Sequence, residues 1–284
     1  MFMPTKSHGS FRTLLTFKAV QIICLDENQK EIDGSYASGF ITQEGNDKYL
    51  YTCWHVVTGL DIYNLKVGNS LPNIKYLKLK LQASEKIDEA CERIGGYSFI
   101  TIPLYDFNTS PNKPKWIQDK EDVPKIDLNA INIRVPKLHD VVKIELPSDI
   151  YLSEVQLIKS NEYFRQSVLI GDKLHIVGFP FKYSAGGTDK PVPIVLTRYV
   201  AATEVFERLG QVLLDGTGSS GMSGGPVFIE KDSEIFLVGL YTGLIYPDYL
   251  INKSDKNSAL GTFCPLSWWW NYPDTFLPNS MGQV

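Results

Sequence analysis

The chain has 284 residues, of which 43% are hydrophobic and 21% charged, so it can bury a sizeable core in one large or two modest domains. Its formal net charge of −4 gives no general electrostatic reason to bind nucleic acid or an anionic membrane, and we expect neither partner. No segment approaches the ~18 apolar residues of a membrane helix, and the N-terminus lacks the apolar stretch of a secretory signal. These features predict a cytoplasmic protein.

Short β-rich runs separated by Gly, Pro, Asn and Asp recur along the whole chain. Alternation such as Lys78-Leu79-Lys80-Leu81 is typical of a half-buried strand. The runs cover 17–25, 48–57, 74–82, 97–105, 128–135, 141–146, 173–181, 193–206, 225–230 and 235–243. This pattern predicts an all-β fold of closed or nearly closed barrels.

Other segments interrupt the strand pattern. The residues SEKIDEACERI at 84–94 have apolar or small side chains at helical spacing, and we predict a helix there. Long surface loops are predicted at 106–125, 183–192 and 246–260. The charged connector PKLHD at 136–140 indicates a boundary between two halves.

The cysteines do not indicate a metal site or a disulfide framework. Cys24, Cys53, Cys91 and Cys264 include no CxxC pair, and neither they nor the four histidines have zinc-site spacing. We expect four reduced and mostly buried thiols, no metal and no cofactor.

The strongest chemical signal is the GMSGGP motif at 221–226, which is followed by a strand start. Acyl transfer by a serine needs a hydroxyl on a tight turn whose backbone N–H groups face the oxyanion. Glycine on both sides of Ser223 permits such a turn. The amides of Gly221 and Ser223 are predicted to form the oxyanion hole.

A general base is predicted at His55, within the run YTCWHVVT at 51–58. A lone histidine in such a place is more often structural. However, TxxHVV after an apolar strand resembles the histidine motif of chymotrypsin-like peptidases. The order of His55 before Ser223 also agrees with the His, Asp, Ser order of that family.

The third member of the triad should be an aspartate between these two residues. Asp127 begins the run DLNAINI, which resembles the aspartate strand of bacterial members of the family. Asp106 is an alternative because it also borders an apolar run, although it follows its strand where the family's aspartate precedes one. We predict Asp127, whose carboxylate would hold the His55 tautomer.

The chain thus resembles a bacterial trypsin-like serine peptidase from about residue 17 to residue 266. Weaker resemblances accompany the triad motifs at 34–41 (GSYASGFI), 176–180 (IVGFP), 238–243 (VGLYTG) and 259–266 (ALGTFCPL). The resemblance implies two six-stranded antiparallel Greek-key barrels, at 12–138 and 139–284. His55 and Asp127 would come from the first barrel and Ser223 from the second, with the active site in the crevice between them.

Two departures from the digestive members of this family affect the mechanism. Met222 stands where those members carry an aspartate that captures a new N-terminus, so we expect no activation by N-terminal cleavage. Val56 stands where they place a cysteine beside the histidine. Both changes suit an intracellular enzyme.

The resemblance places the primary specificity pocket near Thr217 and Gly218, and the substrate-pairing strand at Tyr241, Thr242 and Gly243. No acidic residue lies at the pocket base, which disfavours cleavage after Arg or Lys. Tyr241 stands about where glutamyl endopeptidases carry a histidine, so we expect a small or apolar side chain at the cleavage site. Packing within a strand or loop is the alternative role for Thr217 and Tyr241.

The resemblance implies a serine endopeptidase that acts on a protein or peptide through an acyl-enzyme. One alternative hypothesis is a barrel pair that binds a partner without turnover, since a fold does not fix a function. Another is a latent peptidase that an activating protein switches on by ordering a loop.

Overall fold

A computed structural model describes residues 15–59, 74–86, 92–119, 139–184, 192–203, 210–245, 260–267, 270 and 276–278. The described chain is almost entirely β-structure. It contains one short α-helix, α1 (Trp54–Thr58), and 3-10 turns at Glu154–Gln156, Ser160–Glu162 and Pro180–Lys182. The all-β prediction is confirmed.

The N-terminal half is built around one extended sheet. Its strands are β1 (Val20–Leu25), β2 (Glu31–Glu44), β3 (Asp47–Thr52), β4 (Tyr76–Lys86), β5 (Glu92–Pro103), β8 (Trp116–Asp119), β9 (Val142–Glu145), β10 (Leu157–Lys159) and, from the other end of the chain, β17 (Phe276–Pro278). The strand order is β17-β8-β9-β3-β2-β1-β4-β5, and β10 pairs in parallel with β2. The loop predicted at 106–125 is partly strand. The short strands β6 (Tyr105–Asp106) and β7 (Lys113–Pro114) pair with each other, β8 joins the sheet, and residues 120–125 lie outside the described residues.

The C-terminal half contains a closed barrel of six antiparallel strands. These are β11 (Lys173–Gly178), β12 (Ile194–Ala202), β13 (Val212–Leu214), β14 (Pro226–Lys231), β15 (Glu234–Ile245) and β16 (Leu260–Pro265). Each strand pairs with two others, in the cyclic order β11-β12-β13-β16-β15-β14. Closure leaves no sheet edge among the described strands of this barrel.

The two halves share one strand order. When six strands of each half are numbered along the chain, both follow the order 6-3-2-1-4-5, given by β9-β3-β2-β1-β4-β5 and by β16-β13-β12-β11-β14-β15. Strands five and six pair in the second half and close its barrel. In the described part of the first half, β8 pairs with β9 at the corresponding edge.

The alternation noticed in the sequence has the predicted consequence in β4. Leu77, Leu79 and Leu81 are buried, and the intervening lysines lie on the outer face. There the ammonium groups of Lys78 and Lys80 lie over the rings of Phe99 and Tyr97 on β5. Period-two burial thus fixes which face of the hairpin contacts the core.

The helix predicted at 84–94 is wrong. Residues 84–86 end β4 and residues 92–94 begin β5, and the two strands are paired there from Ser84↔Ile94 to Lys86↔Glu92. Cross-strand hydrogen bonding of a long hairpin outweighs a helical spacing that rests on four small or apolar residues.

The domain boundary predicted between residues 138 and 139 also needs correction. Strand β9 lies beyond that boundary and yet pairs with β3 of the first sheet. Strand β10 pairs with β2, and the second barrel begins only at Lys173. The sixth strand of the first half therefore follows the charged connector.

The larger hydrophobic cluster contains residues of both halves. Phe40 and Leu50 of the first sheet belong to the same buried cluster as Phe228, Leu240 and Leu266 of the second barrel. A second cluster fills the interior of the second barrel alone. The two halves therefore meet through a shared apolar core.

The chain returns to the first half at its far end. Strand β17 pairs with β8, and the ring of Trp270 stacks on Tyr163 with ring centres 4.2 Å apart. Cys24, Cys53 and Cys264 are buried and reduced, and Cys91 lies outside the described residues. In the described ranges no helix has the length and apolar character needed to cross a membrane.

Candidate active site

His55 lies in the first turn of α1, directly after β3. Strand β3 ends at Thr52, Cys53 makes the turn, and the helix begins at Trp54. The His55 side chain is 30% exposed, so its imidazole is accessible to a substrate. This is the position just past a strand that the sequence motif predicts.

The carboxylate of Asp140 contacts His55 at two points. Its Oδ2 lies 2.7 Å from His55 Nδ1, and its Oδ1 accepts a hydrogen bond from the His55 backbone N–H at 3.0 Å. The Asp140 side chain is 2% exposed. A buried carboxylate at Nδ1 holds the proton on that nitrogen and leaves Nε2 as the basic atom.

Asp140 therefore occupies the position that the sequence analysis gave to Asp127. Asp127 itself lies outside the described residues. Asp106, the alternative, accepts a hydrogen bond from the Asn108 backbone at 3.0 Å in a local turn. A signal for Asp140 was present, because it comes directly before the alternating run VVKIEL at 141–146, which forms β9.

Cys53 is fully buried and lies next to the His55–Asp140 pair. Its sulfur donates to the carbonyl oxygen of Tyr241 at 3.3 Å, and ligand atoms of Cys53, His55 and Asp140 all lie within 4.8 Å of one another. Burial, followed by the negative charge of Asp140, raises the pKa of the Cys53 thiol well above its ordinary value. A neutral Cys53 thiol can donate its hydrogen bond to Tyr241 O, while the Asp140 carboxylate is bonded to His55.

Ser223 lies on a turn that requires glycine at two positions. Gly221 and Gly224 have φ angles of +92° and +84°. A Cβ on Gly221 would lie 2.6 Å from the Phe179 carbonyl oxygen, and one on Gly224 would collide with the carbonyl of Ser38 and the hydroxyl of Thr52. Left-handed φ and close backbone approach together require glycine at both positions.

The turn that carries Ser223 meets the His55 helix at one carbonyl group. The Gly224 backbone N–H donates to Tyr241 O at 2.7 Å, and the same oxygen accepts the thiol of Cys53. Gly224 also packs against Thr52. Ser223 and His55 are therefore brought to the same junction, Ser223 from the second barrel and His55 from the first sheet.

Some backbone amides of the turn donate hydrogen bonds within the described part of the protein, and others do not. Those of Met222, Gly224 and Gly225 donate to the carbonyls of Ser219, Tyr241 and Met222. Within the described residues, the amides of Gly221 and Ser223 have no acceptor. These are the two amides predicted to stabilise the oxyanion.

The predicted pocket residues lie beside this turn, and one side chain fills the space between them. The Tyr241 hydroxyl accepts a hydrogen bond from the Gly218 backbone N–H at 2.9 Å, and a Cβ on Gly218 would lie 2.5 Å from the Tyr241 ring. Tyr241 is 1% exposed. Arg198 donates to the Thr217 carbonyl from Nε and Nη2, at 3.2 and 2.7 Å.

The other two predicted substrate-binding residues lie further along β15. The hydroxyl of Thr242 is buried and lies 2.8 Å from that of Thr262. Gly243 has a φ of +140°, and the pairing of β15 with β16 shifts register between Tyr241 and Gly243. Their role in binding substrate stays a prediction.

Comparison with known proteins supports the fold. No protein-family model matches the chain, and neither does any curated protein. Among solved structures 659 chains match, including human heparin binding protein with a TM-score of 0.51 over 95% of both chains, at 12% sequence identity. This likeness concerns the fold alone. With the strand pairing above, it shows that the chain has the chymotrypsin-like double β-barrel fold.

Proposed function

We propose that the protein is a serine endopeptidase in which His55, Asp140 and Ser223 form the catalytic triad. The observation that carries this proposal is the two-point contact of a buried Asp140 carboxylate with His55, at the junction where the Ser223 turn meets the His55 helix. Nucleophile, base and orienting acid are the three groups that acyl transfer by a serine requires.

The proposed reaction follows from these positions. Nε2 of His55 takes the Ser223 proton while Ser223 Oγ adds to the peptide carbonyl, and the new oxyanion is stabilised by the amides of Gly221 and Ser223. The His55 imidazolium then donates its proton to the leaving amine, which leaves an acyl-enzyme. Water, deprotonated by His55, releases the acid and restores Ser223. Asp140 stays ionised and stabilises the imidazolium.

The proposed substrate is a protein or peptide, and the proposed chemistry needs no metal or organic cofactor. We keep the prediction of a cytoplasmic enzyme as part of this proposal. The fold also occurs in a protein that is named for binding heparin, so fold alone does not establish turnover. Reactivity of Ser223 is the property that separates a peptidase from a binding module.

The proposal is tested by labelling the purified full chain with a fluorophosphonate probe, which reacts only with an activated serine. We expect labelling of the wild type and none of Ser223→Ala or His55→Ala. Ser160→Ala, at an exposed serine on a 3-10 turn, serves as the matched control and should label like the wild type. Labelling that persists in Ser223→Ala, or none in the wild type, would contradict the proposal.

A further inference from the structure

Every carbonyl group from residue 220 to residue 223 accepts a hydrogen bond. The donors are Phe181 N to Ser220 O at 2.7 Å, Ser38 Oγ to Gly221 O at 2.8 Å, Gly225 N to Met222 O at 2.9 Å, and Ser38 N to Ser223 O at 2.9 Å. Because a peptide group is planar, a fixed carbonyl also fixes the direction of the N–H that follows it. The open amides of Gly221 and Ser223 are thus held in direction by their neighbours.

Ser38 supplies two of these four hydrogen bonds although it belongs to the other half of the molecule. It lies on β2 and is fully buried. Its hydroxyl also accepts the Phe179 backbone N–H at 2.9 Å, and so it positions the segment from which Phe181 donates to Ser220. Its two direct bonds fix the peptide groups on either side of the one that carries the Ser223 amide, whose own carbonyl, Met222 O, accepts from Gly225. Through the segment from Phe179 to Phe181 it also acts on Ser220 O, whose peptide group carries the Gly221 amide.

The side chain beside the nucleophile cannot perform this task. Met222 is fully buried and belongs to the apolar cluster inside the second barrel, so it offers no charge or hydrogen bond to fix the turn. Phe181 and Lys182 have positive φ angles of 52° and 58°, a strained conformation for residues that are not glycine. The contacts around Ser38 help to keep the segment in that conformation.

We propose that Ser38 is a positioning residue that holds the oxyanion turn in its catalytic arrangement in the free protein, so that neither N-terminal cleavage nor an activating partner is required. The inference rests on the proposed peptidase function. The hydroxyl that holds the turn belongs to the first half of the molecule, whereas the turn belongs to the second half. Contact between the two halves therefore assembles the oxyanion hole.

The test compares Ser38→Ala with the wild type on a peptide substrate and with a peptide boronic acid, which mimics the tetrahedral state. Removing the hydroxyl leaves Gly221 O and Phe179 N without their partner, and the turn can shift. We expect kcat to fall about 10- to 100-fold with KM within about twofold, because small displacements of oxyanion donors affect the transition state selectively. Affinity for the boronic acid should fall by a similar factor.

Two further variants separate positioning from general stability. Thr42→Val removes another fully buried hydroxyl from the same strand, one that contacts Glu44 and not the turn, so it should lower the melting temperature without changing kcat. Ser38→Cys keeps a weak donor of similar shape and should restore part of kcat. Equal kcat in Ser38→Ala and wild type would overturn the inference, as would a lysate factor needed to activate the wild type.

A readout that does not depend on activity distinguishes this inference from the proposed function. Hydrogen–deuterium exchange of the peptide spanning 216–225 should be faster in Ser38→Ala than in wild type, and unchanged in Thr42→Val. If the wild type is unreactive but exchange of 216–225 is still faster in Ser38→Ala, the peptidase proposal is contradicted. The conclusion that Ser38 holds the turn in place would still stand. Unchanged exchange in Ser38→Ala would overturn the inference whether or not the protein is active.

Discussion

At the scale of single residues, the contact between Asp140 and His55 determines which nitrogen of the imidazole is basic. Because the His55 backbone N–H already donates to Oδ1, an amide at position 140 would place its oxygen there and turn its NH2 group towards Nδ1. Nδ1 would then have to accept, which moves the ring proton to Nε2 and removes the base.

Asp140→Asn should therefore fold normally and lose about 10⁴-fold in kcat, as expected when the wrong tautomer is stabilised. Asp127→Asn is the matched control and should retain kcat within about twofold. Steady-state kinetics on one peptide substrate, with circular dichroism to confirm folding, checks both. A large loss in Asp127→Asn with an active Asp140→Asn would return the role to Asp127.

Tyr241 determines how much room remains beside the nucleophile. In the proposed peptidase, the resemblance places the acyl side chain of a substrate between the segment before Ser223 and strand β15. The Tyr241 ring fills that space and is tied to the Gly218 amide. The filled space favours glycine or alanine at the cleavage site over large side chains.

Tyr241→Ala should accept larger acyl side chains, so that the ratio of kcat/KM for alanine over phenylalanine substrates falls at least about tenfold. Tyr241→Phe keeps the ring and loses only the hydrogen bond, and should retain the wild-type preference. Peptides that differ only at the residue before the scissile bond provide the measurement. A wild type that prefers phenylalanine would contradict this account of the pocket.

His55 and Ser223 can be proposed from the sequence because each has its constraints nearby in the chain: a preceding strand for His55 and neighbouring glycines for Ser223. The carboxylate has no such local constraint. Both Asp127 and Asp140 precede alternating apolar runs, and only the pairing of β9 with β3 brings Asp140 to the His55 helix. The contacts of Ser38 carry no local signal either, since its partners lie far away along the chain.

At the scale of elements, strand pairing explains both the successes and the errors. The lysine–leucine alternation in β4 can be interpreted from the sequence alone, because successive side chains of a strand point to opposite faces whichever strand it pairs with. The spacing at 84–94 was misinterpreted because a short helical pattern and the end of a long hairpin look alike in sequence. Strands β9, β10 and β17 depend on partners far along the chain, and so the domain boundary could not be located from local patterns.

At the scale of the whole molecule, the shared core couples the two halves. The same buried cluster contains residues of the first sheet and of the second barrel, and the segment containing Trp270 packs back on Tyr163. Separating the halves would expose this apolar surface to water, which is unfavourable in proportion to its area. Neither half is expected to remain folded once the other has unfolded.

Unfolding in urea should therefore be a single transition. The chain has five tryptophans, three of them at 268–270. In a variant carrying Trp268→Phe, Trp269→Phe and Trp270→Phe, fluorescence reports on Trp54 and Trp116 of the first half, whereas far-ultraviolet circular dichroism reports on the strands of both halves. The two midpoints should coincide if the halves unfold together. Separate midpoints, with the fluorescence change distinct from the loss of β-structure, would show that the shared core does not couple them.

The common strand order of the halves bears on where catalytic groups can arise. His55 lies in the connection between the third and fourth strands of the first half, and Ser223 lies in the same connection of the second half. In the proposed peptidase, two halves of the same strand order thus contribute one reactive group each from equivalent connections. As separate polypeptides the two units would each expose the apolar surface of the shared core, and the proposed activity would disappear on dilution. The segment from Leu146 to Asp172 joins the two units covalently, and its strand β10 lies paired with β2 of the first sheet, so His55 and the turn that carries Ser223 meet at every protein concentration.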